Sequence, residues 1–373
     1  YRPVGKDFPV FLHPQSHEEY ALARTERKVA QGYAGFEFHT DPSITIEQDL
    51  ARRDLTINAI AEDEAGQLID PFNGQQDIEQ RILRHVSPAF VEDPVRVLRV
   101  ARFAARFAHL GFTVASETQA LIQHIARAGE LDALVPERVW VEMKKALNEA
   151  DPQIFFETLR DCGVLADLFP EVDALFGVPQ TAHYHPEVDT GVHQMMVLKA
   201  AAKLNLDSDT RFAALCHDFG KADTPADILP GHRGHEQRGI PKVKAFCKKW
   251  RIPKAATELA LITCEYHTHI HRIQEMKPTT ILKFFQQVDV FRRPERFEKM
   301  TWACLADARG RTNFEDDPYP QAELARDLAR GINDLDLSAV TQNQPPGPQI
   351  AEAIYNFRLR HLQSLMANHP LRG

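Results

Sequence analysis

The alternation of hydrophobic and polar residues divides the chain into a short β-containing beginning and a long helical remainder. Over residues 1–70, short alternating runs separated by Gly, Pro and Asp predict strands at 9–12, 20–23 and 57–61. From about residue 78 to about 310 the apolar spacing is helical, apart from a link at 176–190. Within this part we expect helix breaks at Gly111, Gly129, Pro136, Pro152, Gly163 and Pro170. With a linker at 342–349 and a final helix at 350–366, the pattern predicts an α+β fold, a small mixed sheet followed by helices.

The segment 92–106, EDPVRVLRVARFAAR, predicts a helix that carries a row of arginines on one face. Pro94 suits the first turn, the preceding acids suit the positive end of the helix dipole, and Gly111 ends the pattern. Asp93 precedes Arg96 by three residues, so these two side chains are expected to be neighbours. The arginines that recur at steps of three and four residues are Arg96, Arg99, Arg102 and Arg106.

A carboxylate beside a guanidinium matches the Watson-Crick edges of cytosine and adenine, which pair an amino donor with a ring-nitrogen acceptor. Uracil and guanine present the opposite pattern, and they would leave buried polar groups unpaired at about 1–3 kcal/mol each. The alternative is a solvated charged helix in which Asp93 and Arg96 form a local ion pair. Both interpretations are compatible with this helix by itself.

Three segments in order, RRDLTINA (52–59), EDPVRVLRVARFAAR (92–106) and PERVW (136–140), resemble the class II tRNA nucleotidyltransferases. This family comprises the CCA-adding enzymes and their bacterial poly(A) polymerase relatives, and the resemblance extends over residues 1–180. It implies a polymerase that completes or repairs the 3' end of tRNA from CTP and ATP, without a nucleic-acid template. Asp93 and Arg96 would then select the base, and Arg138 would brace the pocket. The nucleotide-binding residues that the resemblance implies are Arg53, Asp54, Asn58, Asp93, Arg96, Arg99, Arg102 and Arg138.

The resemblance also places a third catalytic carboxylate at Glu19. Such enzymes use two Mg²⁺ ions, held chiefly by an Asp-x-Asp pair after a Gly-Gly phosphate loop. That combination is not found in this sequence, which starts at Tyr1 with a segment that resembles the part following it. We therefore expect a few dozen residues to precede Tyr1 in the parent protein. Polymerase activity would belong to that parent, because Glu19 alone cannot hold two ions.

Histidines are concentrated in the second half of the chain, where nine of the 17 fall between residues 183 and 271. They surround the motif CHDFGK at 216–221, which indicates a metal site. Asp307 and Asp289 are the two candidates for the last acidic ligand of this site. Lys221 either neutralises phosphate charge or complements a helix end. His183, His185 and His232 are left unassigned, and His269 and His271 are expected to be exposed bystanders. The spacing resembles the HD phosphohydrolase superfamily, whose metal ligands here would be His193, His217, Asp218, His235, His267 and Asp307.

Imidazole and carboxylate ligands suit a divalent transition metal such as Ni²⁺ or Mn²⁺, and the lack of cysteine ligands argues against a structural zinc site. His217 and Asp218 would form the catalytic centre. By resemblance, HD domains fused to CCA-adding enzymes act as phosphatase, 2'-nucleotidase and 2',3'-cyclic phosphodiesterase. Arg309 and Arg311 either bind phosphate or are surface charges.

Composition narrows the class of protein without identifying its chemistry. The chain has 373 residues, 43% of them hydrophobic, and no apolar stretch of the roughly 20 residues that cross a bilayer. Five cysteines without paired spacing favour a reducing cytoplasm, and we expect a monomer or homodimer. A net charge of -8 argues against a general nucleic-acid coat. RNA binding would therefore rely on the arginine face of 92–106, with Arg81 and Arg84 nearby.

We predict four regions: the remainder of a nucleotidyltransferase head (1–75), a helical neck and body (76–180), an HD domain (181–312), and a linker with a helical tail (313–373). A poly(A) polymerase is the nearest alternative function, although such enzymes usually carry a basic C-terminal extension and this tail is not basic. A second alternative is an HD phosphohydrolase whose front half only binds RNA. A third is a noncatalytic RNA-binding module, which the histidine cluster disfavours.

Overall fold

The computed structural model describes residues 2–4, 10–28, 36–39, 41–342 and 347–372. The chain divides into two compact units, which we call the front unit (Tyr1–Phe169) and the rear unit (Pro170–Gly373). Each has its own buried apolar core. Short strands are confined to the front unit in the described part of the chain, and the rear unit is helical there. The architecture is therefore α+β, as the pattern predicted.

The strands of the front unit are short and mostly antiparallel. β1, β2 and β3 form one antiparallel sheet, β4 pairs with β5 and β6 with β7 in antiparallel ribbons, and β8 and β9 are parallel. Their bounds are β1 Arg2–Val4, β2 Val10–Leu12, β3 Glu19–Tyr20, β4 Thr25–Lys28, β5 Phe36–His39, β6 Ala61–Glu62, β7 Leu68–Ile69, β8 Ile82–Leu83 and β9 Thr113–Val114.

Two strand predictions need correction. The predicted strand at 20–23 is limited to its first residue, as part of β3. The predicted strand at 57–61 is wrong, because Thr56–Asn58 forms a 3-10 turn and β6 starts only at Ala61. Side chains stabilise this turn: Thr56 Oγ1 donates to Asp77 Oδ2 over 2.7 Å, and Asn58 Nδ2 donates to Asp54 Oδ1 over 3.2 Å. Such bonds to short polar side chains compete with strand pairing. Residue 9 of the first predicted strand lies outside the described residues.

The front unit is built around one central helix. This helix, α3, packs against α5 and α6 and buries Val97, Leu98 and Val100. Before it, Asp93 Oδ1 accepts from Val95 N over 3.2 Å, and after it a 3-10 turn, Ala108–Leu110, ends at Gly111, which has a φ of 79°. The helices of the front unit are α1 Ile46–Ala51, α2 Gly74–Gln80, α3 Val95–Phe107, α4 Ser116–Arg127, α5 Pro136–Leu147, α6 Gln153–Asp161 and α7 Leu165–Leu168.

The rear unit packs helices closely through small residues. Ala200, Ala214 and Ala306 share one buried cluster, and a Cβ on Gly310 would lie 2.6 Å from Val197 Cα. Small side chains therefore let α9, α10 and α14 approach one another, which brings polar residues of all three helices together. The rear helices are α8 Pro170–Asp173, α9 Thr190–Lys203, α10 Ser208–Cys216, α11 His235–Lys249, α12 Lys254–His271, α13 Pro278–Gln287, α14 Pro294–Arg309, α15 Pro320–Asn333, α16 Ser338–Thr341 and α17 Pro348–Asn368.

The last helices pack into the rear unit. α15 buries Leu324 and Leu328, and the Arg326 guanidinium lies 4.4 Å above the Trp302 ring. The predicted final helix at 350–366 is confirmed as part of α17. Residues 343–346 of the predicted linker lie outside the described residues. Throughout the described part of the chain, no helix combines the length and apolar character needed to cross a bilayer.

Candidate metal centre and candidate nucleotide site

Five segments of the rear unit bring the six predicted metal ligands together. α9 contributes one histidine, the end of α10 contributes the His-Asp pair, and α11, α12 and α14 contribute one residue each. All six are buried, with 0–8% of their surface exposed. We call the set the candidate metal centre: His193, His217, Asp218, His235, His267 and Asp307.

The six residues form three overlapping groups, in each of which the ligand atoms lie within 4.8 Å of one another, close enough to share a cation. His193 Nε2 lies 3.0 Å from Asp307 Oδ1, and His217 Nε2 lies 3.1 Å from Asp218 Oδ2 and 3.6 Å from Asp307 Oδ1. The His235 and His267 Nε2 atoms are 3.1 Å apart. Two nitrogens at right angles around one ion, each at about 2.1 Å, would be separated by about 3.0 Å.

Backbone carbonyls orient all four imidazoles. The Nδ1 atoms of His193, His217, His235 and His267 lie 2.7–3.1 Å from the carbonyl oxygens of Gly310, Ala214, His232 and Thr263. An Nδ1–H that donates to a carbonyl leaves Nε2 unprotonated, with its lone pair directed inward. In their neutral form, these four imidazoles therefore present Nε2 atoms that can bind a metal.

The residues present fit a divalent cation because some of their polar atoms lack other partners. His217 Nε2 and Asp218 Oδ1 are buried and form no hydrogen bond. Leaving a buried polar atom unpaired costs about 1–3 kcal/mol. The close Nε2 atoms of His235 and His267 also direct lone pairs at each other unless a proton or cation lies between them. A positive ion would satisfy all these atoms together.

The charged groups of the candidate metal centre favour a positive charge among them. Burial would raise the pKa of Asp307, but the charge of His217 and hydrogen bonds from neighbouring histidines hold it well below the ordinary value. Burial would lower the pKa of His217, but the charges of Asp218 and Asp307 raise it to about 10. A proton on His217 thus offsets the two carboxylates, and a cation would do so in its place.

A cavity of about 530 Å³ opens beside the candidate metal centre. Lys221 lies in its wall, and its Nζ donates to Asp218 Oδ2 and to Gln180 Oε1, each over 2.6 Å. Arg309 and Arg311 also line this cavity. The cavity therefore combines buried residues of the candidate metal centre with three cationic side chains, which suits a phosphate ester.

Asp307, rather than Asp289, joins the candidate metal centre. Asp289 follows α13, where its Oδ1 accepts from Arg292 Nε over 2.7 Å and its Oδ2 lies 3.7 Å from Arg293 Nε. Asp307 is buried on α14, one turn before Gly310, and contacts His193 directly. The packing of the helices therefore shows which of the two acids lies at the candidate metal centre, a choice that the sequence did not decide.

The expectation that His269 and His271 are exposed bystanders is wrong. His271 is half-buried, with Nε2 2.8 Å from Asp307 Oδ2 and Nδ1 2.6 Å from the Tyr319 hydroxyl. His269 is also half-buried, and its ring packs 5.2 Å from the Phe284 ring. The spacing of four residues between His267 and His271 on one helix could have indicated their shared face.

Sequence reasoning missed Glu187. Its side chain is almost fully buried, and Oε1 lies 3.0 Å from His185 Nδ1 and 3.1 Å from His193 Nδ1. Burial would raise the pKa of Glu187, but hydrogen bonds from these two imidazoles hold it far below the ordinary value. Glu187 lies in an irregular link, so no periodicity marks it. Of the other unassigned histidines, His183 is exposed, and His232 contacts the Pro179 carbonyl and Thr224.

In the front unit, Asp93 and Arg96 lie at the start of α3, where Arg96 N donates to the Asp93 carbonyl oxygen over 3.0 Å but the two side chains contact different partners. Arg138, on α5, donates two parallel hydrogen bonds to Asp93, of 3.0 and 2.7 Å. The buried Arg96 guanidinium donates to the carbonyl oxygens of Ala89 and Arg52 over 2.6 and 2.5 Å. The Asp93 carboxylate is thus oriented by a residue 45 positions away.

Ion pairs connect most of the remaining predicted nucleotide-binding residues. Arg99 Nε donates to Asp54 Oδ2 over 2.6 Å, and Arg102 Nε donates to Glu142 Oε2 over 2.6 Å. Burial would raise the pKa of Asp54, but the Arg99 charge and hydrogen bonds from Asn58 and Arg99 keep it below the ordinary value. Glu142 is a partner that the sequence analysis did not identify.

The predicted arginine face is more enclosed than the sequence suggested. Arg96 and Arg102 are buried, Arg99 is one-third exposed, and Arg106 is exposed. Arg84, expected to add to the same basic surface, is paired with Asp77 over 3.1 Å. Most of these arginines are therefore paired or buried within the front unit, and their contact with RNA stays a prediction.

Two predicted site residues lie apart from these ion pairs. Arg53 is about half exposed, with Nη2 3.7 Å from Asp49 Oδ2. Glu19 is exposed on β3, and its carboxylate has no hydrogen bond or ion pair with another described residue. Their assigned roles stay predictions.

Three segments of the chain match known protein families. Residues 7–84 match the poly A polymerase head domain, 111–176 match the probable RNA and SrmB-binding site of polymerase A, and 190–293 match the HD domain. The fold and the two sites therefore define a nucleotidyltransferase head combined with an HD unit.

Two relatives of high sequence identity establish the family to which this chain belongs. The chain is 60% identical over 372 residues to the multifunctional CCA protein of Thioalkalivibrio sulfidiphilus, covering 98% of this chain and 90% of that protein. It is 57% identical to the multifunctional CCA protein of Laribacter hongkongensis, with coverages of 95% and 87%. The chain belongs to the family of multifunctional CCA proteins.

Solved structures share the fold at low sequence identity. The CCA-adding enzyme of Bacillus stearothermophilus in complex with CTP is 22% identical with a TM-score of 0.62, over 97% of this chain and 78% of that one. The CCA-adding enzyme of Thermotoga maritima complexed with tRNA is 16% identical with a TM-score of 0.53, over 96% and 81%. At these identities the likeness concerns the fold alone.

Proposed function

We propose that the complete protein adds or repairs the 3'-terminal CCA of tRNA from CTP and ATP, and that the rear unit is a metal-dependent phosphohydrolase. Membership in the multifunctional CCA family supports the first activity. The second is carried by one observation, the convergence of six buried ligands with unsatisfied inward-facing atoms. Its substrates would be 2',3'-cyclic phosphodiesters, 2'-nucleotides and other phosphomonoesters.

The six residues of the candidate metal centre would hold a divalent transition ion such as Ni²⁺ or Mn²⁺. Four imidazoles and two carboxylates form a donor set of intermediate softness, in which no thiolate takes part. When bound, such an ion supplies positive charge to the phosphoryl oxygens and lowers the pKa of the attacking water. Mg²⁺ would serve the nucleotidyltransferase site, with Glu19 among its ligands.

Residues of this chain would orient the phosphate and balance its charge. Lys221 lies within 2.6 Å of Asp218, so its ammonium is close to any phosphoryl group at the centre. Arg309 and Arg311 line the same cavity and can donate to the remaining oxygens. Hydrolysis of a 2',3'-cyclic ester would consume one water, break one P–O bond and leave a phosphomonoester.

In the front unit, Asp93 and Arg96 would select cytosine and adenine. Arg138 fixes the plane of the Asp93 carboxylate, whose Oδ2 accepts one of these two bonds and retains a lone pair for an amino group of the base. Arg53, Asp54 and Asn58 would contact the sugar and triphosphate, and Arg99 and Arg102 would support the phosphate or the primer. A wrong base would lose about 1–3 kcal/mol, which corresponds to a discrimination of about 5–150-fold.

A paired assay on the complete protein tests both activities. Wild type is expected to incorporate CTP and ATP into tRNA that lacks CCA, and to hydrolyse adenosine 2',3'-cyclic monophosphate. Asp218→Ala should abolish hydrolysis and spare CCA addition, whereas Asp93→Ala with Arg96→Ala should relax discrimination against UTP and GTP and spare hydrolysis. Hydrolysis by Asp218→Ala with full metal content would contradict the metal centre. Hydrolysis without any nucleotide incorporation by wild type would favour an RNA-binding front half.

A further inference from the structure

A second cavity, of about 330 Å³, adjoins the cavity of the candidate metal centre. Arg309 lines both of them and so forms part of the wall between them. Met196 and Leu204 supply apolar surface, and the volume falls within the range of small-molecule sites. No residue of this second cavity has a role in the proposed hydrolysis except Arg309.

Cationic groups without protein partners line this cavity. Lys199 and Lys203 are exposed one turn apart on α9, and within the described residues neither forms an ion pair. Arg309 Nε is buried and forms no hydrogen bond. Glu315 and Asp316 also line the cavity, so its charged side chains are three cations and two acids. An anionic ligand that also carries hydrogen-bond donors would satisfy both kinds of group.

A ribonucleotide has this combination. Its phosphate accepts from lysine and arginine, its ribose hydroxyls and base amino groups donate to carboxylates, and its base packs on apolar side chains. Lys203 follows the metal ligand His193 by ten residues, about 15 Å along the axis of α9. A phosphate held at the candidate metal centre is therefore too distant to contact Lys203. A ligand that occupies both cavities must be longer than one nucleotide, as an RNA strand is.

We propose that the second cavity binds the nucleotide that precedes the terminal nucleotide of an RNA strand, so that the rear unit acts on RNA ends in preference to free nucleotides. This inference rests on the proposed phosphohydrolase activity and adds its substrate class. Lys199 and Lys203 contact the strand, and Arg309 lies between the terminal phosphate and the preceding one.

The experiment compares two substrates of the complete, metal-loaded protein across a range of KCl concentrations. One is adenosine 2',3'-cyclic monophosphate, and the other is a short oligoribonucleotide that ends in a 2',3'-cyclic phosphate. The test variant is Lys199→Ala with Lys203→Ala. The matched control is Lys244→Ala with Lys248→Ala, a lysine pair that is also exposed and one turn apart, on α11.

The test variant should lower kcat/KM for the oligonucleotide and leave hydrolysis of the mononucleotide unchanged. It should also reduce the slope of log kcat/KM against log salt by about 0.7 for each lysine, on the oligonucleotide only. The control variant should match wild type on both substrates. An unchanged oligonucleotide rate, or an equal loss on both substrates, would overturn the strand-binding inference and leave the hydrolase intact. Wild type that hydrolyses neither substrate would refute the phosphohydrolase itself.

Discussion

Glu187→Gln isolates the effect of one buried charge on the candidate metal centre. The substitution keeps the shape of the side chain but replaces the carboxylate that lies 3.1 Å from His193 Nδ1. A carboxylate behind a ligating imidazole raises its basicity and fixes its orientation, and its loss typically costs 10–100-fold in metal affinity. That range corresponds to about 1.4–2.7 kcal/mol. Because the Gly310 carbonyl also lies 2.9 Å from His193 Nδ1, we expect a value near the lower end.

The assay is metal affinity, measured by competition with a chelating dye for Ni²⁺ and Mn²⁺, together with thermal unfolding in EDTA. Asp289→Asn is the matched control, because it also neutralises an acid of the rear unit but one that pairs with Arg292. Glu187→Gln should weaken binding of both ions about tenfold, whereas Asp289→Asn should change affinity less than twofold. Equal affinities for Glu187→Gln and wild type would show that this carboxylate does not tune His193.

Three further predictions concern other contacts. Arg138→Lys should lose the bidentate bond to Asp93 and reduce discrimination between CTP and UTP in the complete protein by about 5–30-fold, measured as the ratio of their kcat/KM values. Gly220→Ala should lower the Tm by about 2–4 °C for each kcal/mol lost, because its Cβ would collide with the His235 carbonyl oxygen; an unchanged Tm in a calorimetric scan would refute that close contact. Asp54, whose folded pKa is depressed, contributes stability that is present above its unfolded pKa of about 4 and is lost as pH falls through the folded value; Asp54→Asn should therefore flatten the pH dependence of urea unfolding below pH 5.

The sequence alone predicted those parts of the molecule that depend on local chemistry. Helix ends at Gly111 and Pro136 follow from backbone preferences of single residues, and α3 follows from its apolar spacing. The residues of the candidate metal centre were recognisable because a cation limits which residue types can converge on it, and the spacing from His193 to Asp307 resembled a known superfamily. Such signals need no knowledge of which elements pack together.

Only the tertiary structure decided which distant side chains meet. Arg138 lies 45 positions from Asp93, and Glu142 lies 40 positions from Arg102. Because local periodicity relates only residues a few positions apart, it predicts neither pair. The same holds for Tyr319, which contacts His271 from another helix. Arg96 is also buried by packing, although its position on the predicted arginine face of the helix indicated a surface residue. Periodicity specifies which side chains share a face of one helix, whereas the partner of that face depends on how the apolar surfaces of all the helices pack together.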